Sequence, residues 1–108
     1  MTEREAQKTI RRMVRRIVER FDPERIILFG SHAKGTAGKD SDVDLLVVMP
    51  VSGSKREKQL EIRLVLREFG IPKDVIVTTP EEFAWRKEVP GTIERPAATE
   101  GKVVYARP

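Results

Sequence analysis

Through the first twenty positions apolar residues recur at steps of three and four: Ala6, Ile10, Met13, Val14, Ile17, Val18 and Phe21. That spacing lays the side chains along one stripe of a helix. Asp22 and Pro23 end it, because proline supplies no amide hydrogen and disfavours helix in the residue before it. The period then changes. Arg25 to Phe29 (RIILF) and Val43 to Met49 (VDLLVVM) are short apolar runs that predict buried strands. The second run is apolar on both faces, which predicts a central strand, and Pro50 closes it. Helical spacing returns over Lys55 to Phe69, with Ile62, Val65, Leu66 and Phe69 on one side and Gly70 and Pro72 as the stop. Leu60 and Leu64 fall on a different side of that helix, a face that hints at a partner chain. Lys73 to Thr78 (KDVIVT) predicts a third strand, Glu81 to Arg86 a short helix, Pro96 to Glu100 a helical turn, and Lys102 to Ala106 (KVVYA) an edge strand. Trp85 and Tyr105 are expected to pack. The alternation of helices and strands predicts an α/β layer structure.

Composition narrows the class. At 108 residues, 39% hydrophobic and 35% charged, the chain suits one domain, 1–108, with a small core. The absence of cysteine excludes disulfides, thiolate metal sites and cysteine nucleophiles. The longest apolar run, Leu45 to Val51, is interrupted by Pro50 and is far shorter than the roughly 18 residues of a spanning helix. The opening MTEREAQ has no apolar segment after its charges and does not read as a secretory signal, so a cytoplasmic location is expected. The net charge of +4 sits entirely in residues 1–20, where seven basic residues face three acidic ones, 7 − 3 = +4. Such a helix is either a solvated basic face, the reading we prefer, or a patch for anionic partners. No aromatic residue is interleaved with its arginines to stack bases, which argues against sequence-selective nucleic-acid binding.

The informative stretch is Gly30 to Asp44, GSHAKGTAGKDSDVD. Gly30 and Ser31 follow a strand and open a short turn, SHAKG, whose free amides, Ser31 hydroxyl and Lys34 ammonium suit a phosphate. Taken alone, the same pair serves equally as a plain connection. Asp42 and Asp44 are two residues apart along an apolar strand, which puts both carboxylates on one face with Cα atoms about 6.6 Å apart. Two ionised groups there lose hydration and repel each other. A divalent cation would offset both costs, and all-oxygen donors favour Mg²⁺ or Mn²⁺. The competing account makes Asp42 a strand-entrance residue and Asp44 half of an ion pair. Asp74 opens the next predicted strand, and strands lie about 4.8 Å apart, so it can face the pair. Three acids suffice for two metal ions of the kind that clamp the attacking and leaving oxygens in phosphoryl transfer. Alone, Asp74 is a strand-edge charge. His32 is the sole histidine and is expected at a pocket edge, and no Walker-type GxxxxGK[ST] loop is present.

Jointly, Gly30-Ser31, ten intervening residues, Asp42-Val43-Asp44 and Asp74, with the flanking RIILFGSHAKG, SDVDLLVV, DVIVTTPEEF and EGKVVYA, resemble the minimal nucleotidyltransferases of the DNA polymerase beta superfamily. The resemblance implies a compact palm-like α/β fold with a mixed sheet packed by helices. It implies that Gly30 and Ser31, with Lys34 nearby, hold a triphosphate, and that Asp42 and Asp44 coordinate Mg²⁺. Asp74 would complete a two-ion site or help deprotonate the acceptor. ATP would be the substrate, AMP the transferred group, and a hydroxyl on a helical HEPN-family protein the acceptor, as in antitoxins that modify their toxins. Many relatives carry arginine near His32 and Lys34, so the phosphate contacts here are expected to differ. A non-catalytic antitoxin that neutralises its partner by contact is the alternative.

Overall fold

The computed structural model of the chain describes residues 2–108. The first helix, α1, runs Glu3–Phe21. Thr2 caps it, accepting from the Glu5 amide while the Glu5 carboxylate accepts from the Thr2 amide. Strand β1 (Arg25–Phe29) leads into the one-turn helix α2 (Ser31–Lys34), and β2 covers Val43–Val48. Helix α3 (Lys55–Val65) connects β2 to β3 (Lys73–Thr78), followed by α4 (Pro80–Arg86), α5 (Glu94–Glu100) and β4 (Lys102–Ala106).

The strands form one mixed sheet in the order β3-β2-β1-β4. β1 pairs antiparallel with β2 and β4, and β2 pairs parallel with β3. The central position expected for the second strand is therefore observed. Because side chains alternate along a strand, each face of the sheet takes its own cover. Val43, Leu45 and Val47 with Ile26, Leu28, Val75 and Val77 meet the apolar stripes of α1 and α3 in the larger cluster. Ile27, Leu46 and Val48 meet Phe83 of α4 and Ala97 of α5 on the opposite face. That second cover reaches only one end of the sheet, and the polar residues Asp44 and Asp74 continue the same face at the other end.

Three expectations change in detail. The helix expected over Lys55 to Phe69 ends at Val65, beyond which the Arg67 amide bonds to Leu64 and the Phe69 amide to Leu66, tighter i to i−3 turns that keep Leu66 and Phe69 buried. α5 starts at Glu94, ahead of Pro96, which is tolerated in a first turn whose amides have no intrahelical acceptor. Trp85 does not pack: it is 56% exposed on the outer side of α4, with the Arg86 guanidinium 5.6 Å from its ring, whereas Tyr105 packs against the larger cluster. Leu60 and Leu64 are exposed, as their position on α3 predicts. Among the described residues no helix is long and apolar enough to cross a membrane.

Candidate active site

The acids gather where β1 ends and β2 and β3 begin. In the parallel ladder Asp44 stands directly beside Asp74, and in the antiparallel ladder it stands opposite Phe29, the residue before Gly30. Asp42 lies just outside β2, which starts at Val43, and is exposed; it is a strand-entrance residue and not part of the strand as expected. The Val43 amide bonds the Pro72 carbonyl at 2.8 Å, pinning this entrance to the start of β3.

Gly30 joins the strand to the turn in a backbone conformation, φ 73° and ψ −156°, that is essentially restricted to glycine. It also has no room for a side chain, since an added Cβ would stand 2.2 Å from Oδ2 of Asp44. The first glycine of the motif and the second aspartate are thus two halves of one packing arrangement. Beyond Gly30, the Ala33 and Lys34 amides both bond the Gly30 carbonyl at 3.1 Å, closing the α2 turn. Ser31 stands half-buried at its start. Lys34 pairs with Glu100 at 2.9 Å, both half-exposed, so its ammonium has a protein partner.

Burial pushes the Asp44 carboxyl up from its ordinary value, and the charges of Asp74 and then Asp42 add to the rise, with His32 opposing it. The three acids therefore share one electrostatic neighbourhood. Their partners differ. Among the described residues neither Asp42 nor Asp44 has an ion-pair partner, while Asp74 Oδ1 accepts from Arg63 Nη2 at 2.6 Å. As the side chains stand, no group of three acidic or histidine residues among those described closes tightly enough to hold a metal ion. The donor set still fits a hard divalent cation. Two unpaired carboxylates, one of them raised by burial and then by its acidic neighbours, supply oxygen donors and negative charge that a cation would balance.

Two residues differ from, or add to, the reading of the sequence. His32 is buried, with Nε2 3.2 Å from the Ser41 carbonyl oxygen, so it ties the turn to the Asp42 entrance. It lines a cavity of about 360 Å³ with Gln7, Lys39, Ser41 and Pro72, to which none of the three acids contributes. Arg63 carried no signal in the sequence, because its ion pair depends on where α3 lies relative to β3.

The fold is that of a nucleotidyltransferase, and comparison with known proteins agrees. Residues 10–98 match the nucleotidyltransferase domain model, and the chain belongs to that family. Two Methanocaldococcus jannaschii proteins named as candidate protein adenylyltransferases are each 34% identical to it. One match covers 76% of this chain and 78% of the relative; the other covers 51% of this chain and only about half, 54%, of the relative. In fold the chain is similar to a candidate nucleotidyltransferase from Sulfolobus solfataricus, with TM-score 0.62 and 21% identity over 97% of this chain and 84% of the other. A toxin-antitoxin crystal structure with AMP-PNP has TM-score 0.54 at 19% identity, covering 90% of this chain and 73% of that one.

Proposed function

We propose that the protein transfers AMP from ATP to a hydroxyl on a partner protein of the HEPN family, in the manner of an antitoxin, with Mg²⁺ held by Asp42 and Asp44 and completed by Asp74. The reading rests on one observation above all: Asp44 lies in register with Asp74, beside Asp42 and against the bare Cα of Gly30. The candidate adenylyltransferase relatives and the AMP-PNP of the toxin-antitoxin neighbour support the choice of nucleotide and of acceptor. Bound at the carboxylates, magnesium would neutralise charge on the phosphates and lower the pKa of the acceptor hydroxyl.

The chain's own residues then have separate tasks. Gly30 brings the backbone close to the triphosphate, and the Ser31 hydroxyl and amide hold it at the α2 turn. The acceptor oxygen forms its bond to the α-phosphorus, the bond from that phosphorus to the β-bridging oxygen breaks, and pyrophosphate leaves with the electron pair. Asp74, with Oδ2 free of ion pairing, takes the hydroxyl proton.

With labelled ATP and a HEPN partner, wild-type protein is expected to label the partner, and Asp42→Ala and Asp44→Ala to lose transfer by at least a hundredfold, in the range of general acid–base and charge-stabilising groups. Transfer that survives both substitutions rejects the reading. Exposed Leu60 and Leu64, at 57% and 54%, favour the second reading, neutralisation by contact. A double Asp42/Asp44 variant that still neutralises the toxin at wild-type level would establish it.

A further inference from the structure

Arg63 stands out because, among the described residues, it is the one cation paired with any of the three acids, and it reaches them from outside the motif. Lys55, Gln59 and Arg63 lie at i, i+4 and i+8 on α3, one row of the helix surface. All three contact the β3 side of the sheet: Lys55 pairs with Glu82 of α4 at 2.9 Å, Gln59 Oε1 accepts from the Val77 amide at 2.9 Å, and Arg63 pairs with Asp74. The first two hold α3 along the free edge of β3, and the third delivers a guanidinium to the metal-side acids.

We infer that Arg63 is an internal counter-cation that competes with a divalent metal for Asp74. The inference rests on the metal-dependent reading above. The pair is exposed enough to exchange, with side-chain exposures of 45% and 46%, and such ion pairs are individually weak. Among the described residues it is also the only ion pair drawing Asp74 from the unpaired Asp42 and Asp44. While it persists, the three carboxylates carry a local charge of −2 in place of −3. A second effect follows from geometry: Arg63 occupies Oδ1 of Asp74, so the third acid offers a metal ion both of its oxygens only after Arg63 lets go, and this residue positions it.

Binding of Mn²⁺ to the full chain, followed by calorimetry and electron paramagnetic resonance without nucleotide, tests the inference. Arg63→Gln is expected to bind Mn²⁺ roughly three- to fivefold more tightly than wild type, the scale of releasing Asp74 from one exposed ion pair. Arg63→Lys, which keeps the charge, is expected to stay near wild type. The gain must pass through Asp74, so Arg63→Gln placed on Asp74→Asn is expected to gain less than twofold over Asp74→Asn alone. An equal gain in both backgrounds would reduce Arg63 to a long-range field and overturn the inference, as would unchanged affinity in Arg63→Gln. Failure of the wild type to bind Mn²⁺, with and without an ATP analogue, would instead reject the metal-dependent reading on which the inference stands.

Discussion

Asp44 and Gly30 show how far single residues constrain the site. Alanine at position 30 meets two separate obstacles: the glycine-only backbone conformation, worth about 1–3 kcal/mol, and collision with the Asp44 carboxylate, a further 1–3 kcal/mol or so. Gly35 also has positive φ, 75°, but open space around it, so Gly35→Ala carries only the backbone cost of about 1–2 kcal/mol. Denaturant unfolding is expected to show Gly30→Ala as the more damaging of the two. In an Asp44→Ala background its cost is expected to shrink by the collision component, because the Asp44 Cβ lies 3.5 Å away, an ordinary contact. Equal costs in the two backgrounds would mean that glycine is needed at position 30 for its backbone alone. At this scale the closeness of Asp44 and Asp74 was legible because the apolar runs through Val48 and Val77 anchor their register, whereas Asp42 falls outside β2, where strand parity does not place it. Arg63, buried Glu94 and exposed Trp85 were not legible, since each depends on which helix lies where. Glu94 shows the consequence: burial alone would push its carboxyl up, but bonds from Thr78, its own amide and Arg86 outweigh burial and hold it below the usual range.

The elements themselves follow closely from apolar spacing, and the departures occur where tertiary contacts take over. β1 and β3 match the runs RIILF and KDVIVT residue for residue. α3 ends four residues early because its last expected turn tightens while keeping the same apolar side inward. Nothing in the spacing says that α3 also seals a sheet edge, since polar residues at i, i+4 and i+8 look the same whether they face water or a strand. Gln59 is the test case. Its amide oxygen supplies the Val77 amide with an acceptor that no fifth strand provides. Gln59→Leu is expected to cost about 1–2 kcal/mol by leaving that part-buried amide unpaired, and Gln59→Glu, which keeps an acceptor, less than half as much. Urea midpoints measure the difference. Equal losses would show that α3 guards the edge by packing and that the hydrogen bond is incidental. The basic row on α1 is likewise partly structural: Arg12 and Arg16 lie 5.5 and 5.1 Å from the Phe69 ring centre, and Arg16 also pairs with Glu68. This accords with a solvated, self-contacting face more than with a nucleic-acid surface.

For the whole molecule, the uneven cover of the sheet bears on how stability depends on pH. α1 and α3 bury one face, while α4 and α5 bury only part of the other and leave the acids at its open end. Asp44 therefore weakens the fold when it is ionised. The Asp44 carboxyl is raised by burial, then by Asp74 and Asp42, so the folded chain holds its proton more tightly than the unfolded chain does. Between the ordinary value of 3.8 and the raised value the folded state binds more protons, and stability from this group falls as pH rises through that window. The cost is fully present above the raised value and absent well below 3.8. Without divalent cations Asp44→Asn is thus expected to melt above wild type at pH 7, with the gap closing as pH falls towards 3.8. Under the metal-dependent reading proposed above, magnesium or manganese is expected to reverse the order. At a hundred times the dissociation constant the wild type gains about 2.7 kcal/mol, some 10–20 °C for a chain of this size, and the asparagine variant gains little. Thermal melts of both proteins at two pH values, with and without cation, separate the two contributions. An asparagine variant that gains as much as the wild type would place the cation elsewhere. A variant that melts lower than wild type at pH 7 without cation would mean that the Asp44 charge serves the fold, leaving no deficit for a metal ion to fill.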